Sequence, residues 1–195
     1  MPAEEKQEEK NLWTLYSPLI SGGWKCLSFN LFSKSHPPKL LAQPHGATPL
    51  GRLYISPRGW LAVHIAAVPD RDVASDKKKE DHVNVNGGLA MYCGYLKLYR
   101  RGGGGEDNGE EELYWRTVVE VSSDSNLIGG VQERKVVFEE MERKKKKSDG
   151  DSGSDGGGGG EEEEKSYYMI LEPKQDWIME DGTKTRAILK WEKFE

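Results

Sequence analysis

Gly22-Gly23-Trp24-Lys25-Cys26-Leu27-Ser28-Phe29-Asn30 is the stretch whose reading decides the fold. Side chains alternate across a strand, so a water-facing Lys25 turns Trp24, Cys26, Ser28 and Asn30 to the opposite face. Seven further segments repeat the pattern. In 51–56, Arg52 points out and Leu53 and Ile55 point in. Ser56-Pro57-Arg58-Gly59 then reads as a tight turn, with Pro second and Gly fourth. Pairing across that turn sets Trp60, Ala62 and His64 beside Leu53 and Ile55. In 93–100, Leu96 and Leu98 face in; in 113–121, Trp115, Thr117, Val119 and Val121 do. Segment 131–139 separates Glu133, Lys135 and Glu139 from Gln132, Arg134, Val136 and Phe138. Met169 and Leu171 face in from 167–172, and Thr185, Ala187, Leu189 and Trp191 from 184–193.

Eight such segments joined in simple order predict an all-β chain, an eight-stranded antiparallel up-and-down β-barrel. Closure removes the exposed edges of an open sheet. Val63 and Ile65 leave an apolar stripe outside the third segment, so a short covering helix is expected around Asp81 to Tyr92, between the third and fourth segments. Alternate strands run in opposite directions, which sorts the inward residues by height. Trp24, Ile55, Trp60, Trp115, Phe138 and Trp191 gather at the closed end as an aromatic plug. Asn30, His64, Gln132, Arg134 and Thr185 gather at the open end, with Ser28 below them.

The 195 residues fit one domain. Hydrophobic residues make up 35% of the chain and charged residues 31%, and the imbalance is local. Residues 101–112 and 139–166 hold glycine tracts and runs of lysine and glutamate, read as two disordered loop insertions. Residues 1–12 are expected to be a flexible tail and 13–195 a single barrel domain. A net charge of −5 gives no reason to expect nucleic acid, and Lys144 to Lys147 sit close to Glu161 to Glu164. The glycine tracts 102–105 and 156–160 do not continue into Gly-Lys-Ser/Thr, so phosphate binding is unsupported.

Met1 to Lys10 is polar and acidic, unlike a signal peptide, and no apolar run is long enough for a membrane span. This reading predicts a cytoplasmic protein with Cys26 and Cys93 as free thiols. His36, His45, His64 and His82 are scattered without ligand spacing, so neither a metal nor a cofactor is expected.

Five ordered blocks resemble the lipocalin-like domain family of fungi and bacteria. They are Gly22 to Phe29, Pro49 to His64, Tyr92 to Tyr95, Asn126 to Arg134 and Ala187 to Glu192. The chain departs from the family pattern in its insertions, in Arg58, where the turn usually carries an acidic residue, and in its weak helix region. The resemblance implies a calycin-type barrel holding a small hydrophobic or amphipathic molecule. It also implies that Trp24 closes the floor beneath a basic side chain from a late strand, for which Lys190 or Lys193 is placed. The resemblance further implies that such a barrel can serve fungal secondary metabolism, where some lipocalin-like barrels act as cyclases or isomerases.

Candidate ligand-binding residues are therefore Arg134, Gln132, His64, Asn30, Ser28, Thr117, Trp60 and Trp115. A buried guanidinium needs a partner. Arg134 is either a structural arginine on loop carbonyls or an aromatic ring, or a clamp on a ligand oxygen. His64 is either a satisfied core residue or, if the protein is an enzyme, the catalytic acid or base. Trp60 and Trp115 are core residues or ligand wall. The leading expectation is a binding barrel for an amphipathic metabolite with its polar head near Arg134. The alternative is a cofactor-free cyclase or isomerase acting on a polyketide- or terpenoid-like intermediate.

Overall fold

A computed structural model of the protein describes residues 10–67, 89–102, 111–144 and 163–195. Helix α1 (Trp13–Ile20) leads into β1 (Gly22–Phe32), β2 (Leu40–Ala42), β3 (Leu50–Ile55), β4 (Trp60–Ala66) and β5 (Leu89–Gly102). Then follow β6 (Glu111–Ser122), a 3₁₀ turn η1 (Ser125–Leu127), β7 (Val131–Lys144), β8 (Glu163–Pro173), β9 (Trp177–Ile178) and β10 (Lys184–Lys193). The order around the sheet is β1-β3-β4-β5-β6-β7-β8-β10, and β10 pairs back with β1. This is the expected closed barrel of eight antiparallel strands; β2 and β9 are short additions at its edges. The strands also run into the predicted insertions, to Gly102 and from Glu111, and to Lys144 and from Glu163. What remains of both insertions lies outside the described residues. So does the expected covering helix, except that its last four residues, 89–92, are strand and pair with β4.

The glycines of the opening motif serve close packing. Gly22 has φ 112°, and a Cβ there would stand 2.1 Å from the Glu195 carbonyl oxygen. A Cβ on Gly23 would enter the Phe194 ring. The chain end thus lies directly on the start of β1, joined by Gly23 N–H to the Glu195 carbonyl and Phe194 N–H to the Gly23 carbonyl. Trp24 is fully buried and donates its indole N–H to the Ile20 carbonyl at 2.8 Å. Lys193 Nζ donates to the Leu19 carbonyl at 2.8 Å and stands 5.7 Å from the centroid of the Trp24 ring. Of the two basic residues considered, Lys193 is therefore the one over Trp24. Lys190 turns to Tyr168 and Glu139.

Helix α1 was not expected from the sequence. It closes the lower end of the barrel. Ile20 is fully buried, which stabilises by roughly 1.5–3 kcal/mol. Tyr16 stacks on Phe138, and Leu12 N–H bonds the Leu98 carbonyl.

Alternation of facing runs through β7, β8 and β10, where Val136, Met169, Leu171, Ala187, Leu189 and Trp191 are buried inside, while Tyr168 is buried on the other face beneath Lys190. The alternation breaks in three places. Ser56 N–H bonds the Trp60 carbonyl and Gly59 N–H the Ser56 carbonyl, with Gly59 at φ 85°. This is a three-residue turn ending in a left-handed glycine that adds one residue to β4. Ile55 consequently pairs with Leu61 and Leu53 with Val63. Leu61, Val63 and Ile65 are inside; Trp60, Ala62 and His64 are outside, opposite to expectation. The outer apolar stripe assigned to Val63 and Ile65 does not exist.

The second break is at Leu27, an extra residue between Cys26 and Ser28 in the pairing with β10. Beyond it Phe29 and Leu31 are buried, while Ser28 and Asn30 turn away. The third is at Glu120, extra against Cys93 and Gly94, which turns Val121 out and Ser122 in.

Candidate functional site

The strand ends opposite α1 surround a cavity of about 320 Å³. All eight barrel strands contribute to it. Its lower wall is Leu53, Val63, Trp115, Leu171, Leu189 and Trp191, with no charged group. Its rim is built from Tyr92, Gln132, Arg134, Ser122 to Asp124, Leu127 and three aromatic side chains. Those three pack in series. Phe29 meets His45 at 5.4 Å between ring centroids and Trp177 edge-on at 5.5 Å. Trp177 is fixed in turn, because the buried Thr185 hydroxyl donates to its carbonyl at 2.9 Å.

Arg134 reaches this rim because its neighbour is held outside. Glu133 pairs with Arg116 across the β6–β7 register and binds Arg101 at 2.6 Å, Arg116 at 3.1 Å and Lys174 at 3.0 Å. Burial raises the Glu133 carboxyl, but Tyr99, Lys174, Arg116 and the Arg101 charge outweigh it and bring its pKa down to about 2. With Glu133 fixed on the outer face, alternation sends Gln132 and Arg134 inward. Arg134 Nη2 and Nε donate to the Tyr92 hydroxyl at 3.2 and 3.4 Å. Among the described residues it has no carboxylate partner. Asp124, the one acid among the described lining residues, accepts from the Asn126 N–H and side-chain amide instead.

A family model for the lipocalin-like domain matches residues 21–194. The chain belongs to the lipocalin-like domain family. No curated protein and no solved structure matches it. The match begins at the residue before Gly22 and runs through β10, so it spans the whole barrel of this lipocalin-like domain. A closed barrel of this family with an internal cavity suits small-molecule binding in general.

In this lipocalin-like barrel, Arg134, Gln132 and Trp115 line the cavity. Thr117 is inward and fully buried but is not part of the cavity wall. Trp60 is on the outer face, edge-on to Tyr95 at 5.2 Å. His64 is exposed on the same outer face. Asn30 accepts from the Gln43 side chain away from the cavity, and Ser28 also turns outward. These four are displaced by the Gly59 and Leu27 irregularities. The expected six-member plug shrinks accordingly: Trp24, Ile55 and Phe138 lie at the floor, and Trp115 and Trp191 form the cavity wall.

Tyr92, His45, Phe29 and Trp177 are among the rim residues that alternation did not single out. Phe29 would have followed from placing the bulge. Tyr92 comes from the end of the expected covering helix, and His45 from the connection between β2 and β3. Cys26 is buried, and burial pushes its thiol up to about 11, so it stays protonated. Among the described residues no cluster of His, Cys, Asp and Glu is arranged to hold a metal, and no helix is long and apolar enough to cross a membrane.

Proposed function

We propose that this barrel binds a small amphipathic acid, or another molecule with a polarised oxygen, with its apolar body against the lower wall and its oxygen head at Arg134. The observation that carries this reading is Arg134 itself. Its guanidinium stands at the rim of an apolar cavity with only a neutral phenol as partner among the described residues. A guanidinium offers five N–H donors in a fork that matches a carboxylate or enolate, and the Tyr92 hydroxyl occupies few of them. Gln132 supplies a further amide donor on the same wall. The size of the cavity supports a compact ligand: at about 30 Å³ for each water-sized group it has room for on the order of ten.

The alternative reading as a cofactor-free cyclase or isomerase relied on His64 to carry a proton. His64 stands on the outer face, so binding is the better supported reading. The test is tryptophan fluorescence during titration with octanoic acid. Binding predicts saturable quenching in the natural protein and its loss in Arg134→Ala with an unchanged circular dichroism spectrum. Equal quenching in both proteins overturns the reading.

A further inference from the structure

The outer face of the barrel carries two neighbouring apolar rows. Tyr54 on β3 pairs with Ala62 on β4, which pairs with Cys93 on β5 and through it with Val121 on β6. One step along the strands, Trp60 pairs with Tyr95, Tyr95 with Val118, and Val118 with Val131 on β7. Leu61 and Val119, between the rows, are buried inside, so alternation sets both rows outside. Neither row contains a charged residue. The two tyrosines and three valines are each between 46% and 54% exposed. Trp60 supports the Tyr95 ring edge-on at 5.2 Å.

The size of this face points to its occupant. At the usual sizes of these side chains it offers roughly 500 Å² of apolar surface, the upper range of what a monomer leaves bare. A standard interface takes roughly 800 Å² from each partner, about two-thirds of it apolar between identical chains. The face therefore supplies the apolar share of one dimer contact.

The rest of the sequence offers little to cover it. Residues 1–9, 68–88, 103–110 and 145–162 contain no leucine, isoleucine, phenylalanine, tyrosine or tryptophan. The border of the face carries both signs of charge: exposed Lys97 on β5, two residues beyond Tyr95, and exposed Glu120 beside Val121 on β6. A twofold axis makes such a border complementary to itself, because each contact occurs twice with the roles exchanged. We propose that two copies of this chain pack through the outer face of β4, β5 and β6 to form a dimer. The contact lies outside the barrel and leaves the cavity mouth to the ligand.

Sedimentation velocity of the full-length protein tests this. From low to high micromolar concentration, the 21.9 kDa monomer should give way to a species of twice that mass. Tyr95→Lys and Val118→Lys change exposed side chains that do not line the cavity, and each should weaken association by about tenfold or more. Leu15→Lys, at a more exposed position on α1, should not. Cys93 gives a readout on the natural protein. Cys26 is buried, so Cys93 is the thiol that a maleimide reaches first. Its labelling should slow as the protein concentration rises, and stay fast in Tyr95→Lys. A natural protein that remains monomeric at every concentration overturns the proposal. Slow labelling throughout would then assign the cover to another part of the same chain, and fast labelling throughout would leave the face open to a different protein. A dimer that persists unchanged in both lysine variants overturns it as well, because its interface lies elsewhere.

Discussion

Arg134 on β7 reaches past β6 to donate to the Tyr92 hydroxyl on β5, at 3.2 Å from Nη2. The bond ties together two strands that are not neighbours and holds the guanidinium at the rim. Its centre also stands 5.8 Å from the Tyr92 ring centroid, so the ring helps to orient it. Arg134→Ala should weaken binding of a short apolar acid by about ten- to hundredfold, the range for a charged hydrogen bond. Arg134→Lys should recover only part of this, because an ammonium cannot present the fork. Tyr92→Phe should cost less than either, since the charge remains. Calorimetric affinities for octanoic acid rank the three variants. A Tyr92→Phe loss equal to that of Arg134→Ala would mean that the phenol, not the guanidinium, holds the acid.

The two histidines near the upper half of the barrel should behave oppositely. His64 is exposed on the outer face of β4, so His64→Ala should alter stability by no more than about 0.5 kcal/mol and leave binding unchanged. His45 is buried against Phe29 at the rim, so His45→Ala should loosen the Phe29–Trp177 packing and weaken binding. Urea denaturation and ligand titration of the two variants check both statements. Weakened binding in His64→Ala would contradict the placement of β4.

This contrast shows what alternation can and cannot read. In β7 a charged residue, Glu133, alternates with Gln132 and Arg134, nothing interrupts the strand there, and the inward set is legible. Side chains repeat every two residues, so a single inserted residue moves all later ones to the other face. Leu27 does this to Ser28 and Asn30, Gly59 to Trp60 and His64, and Glu120 to Val121. None of the three carries a composition signal strong enough to mark the insertion, although Gly59 comes nearest. Its glycine was read as the fourth residue of a four-residue turn rather than as an extra residue before β4. Helix α1 was hidden for another reason. It is eight residues long, contains Pro18, and begins at Leu12 without a capping side chain. His45 lies in a loop where no periodicity applies.

Gly59 should accordingly be sensitive to substitution. At φ 85° an L side chain is strained, and a Cβ there would stand 3.2 Å from the Leu96 carbonyl oxygen. Gly59→Ala should lower unfolding stability by about 1–2 kcal/mol. Gly46 provides the comparison, because it has φ 78° but nothing within 4 Å of an added Cβ. Gly46→Ala should carry the backbone strain alone and so cost less than Gly59→Ala. Urea midpoints measured with a common slope give the ranking. A Gly59→Ala protein as stable as the natural one would argue against the three-residue turn, and with it against the outward placement of His64.

The cluster around Glu133 should set the acid limit of stability. The folded carboxyl titrates at about 2 and its ordinary value is 4.5. The folded pKa is thus depressed, and the stabilisation is complete above about pH 4.5, where folded and unfolded chains are both ionised. As the pH falls from about 4.5 towards 2, the unfolded chain takes up its proton first, so stability is lost across that window. The Glu133 side chain is 14% exposed, which makes a contribution on the order of 2–3 kcal/mol reasonable. Glu133→Gln should therefore be less stable near neutral pH, and its deficit should shrink between about pH 4.5 and 2. Because Glu133 also fixes the parity of β7, the variant should bind octanoic acid less tightly even at pH 7, where the lost carboxylate is remote from the cavity. Urea unfolding of both proteins at several pH values, with calorimetry at pH 7, tests the two consequences separately. A deficit independent of pH would show that Glu133 acts through packing rather than through its charge.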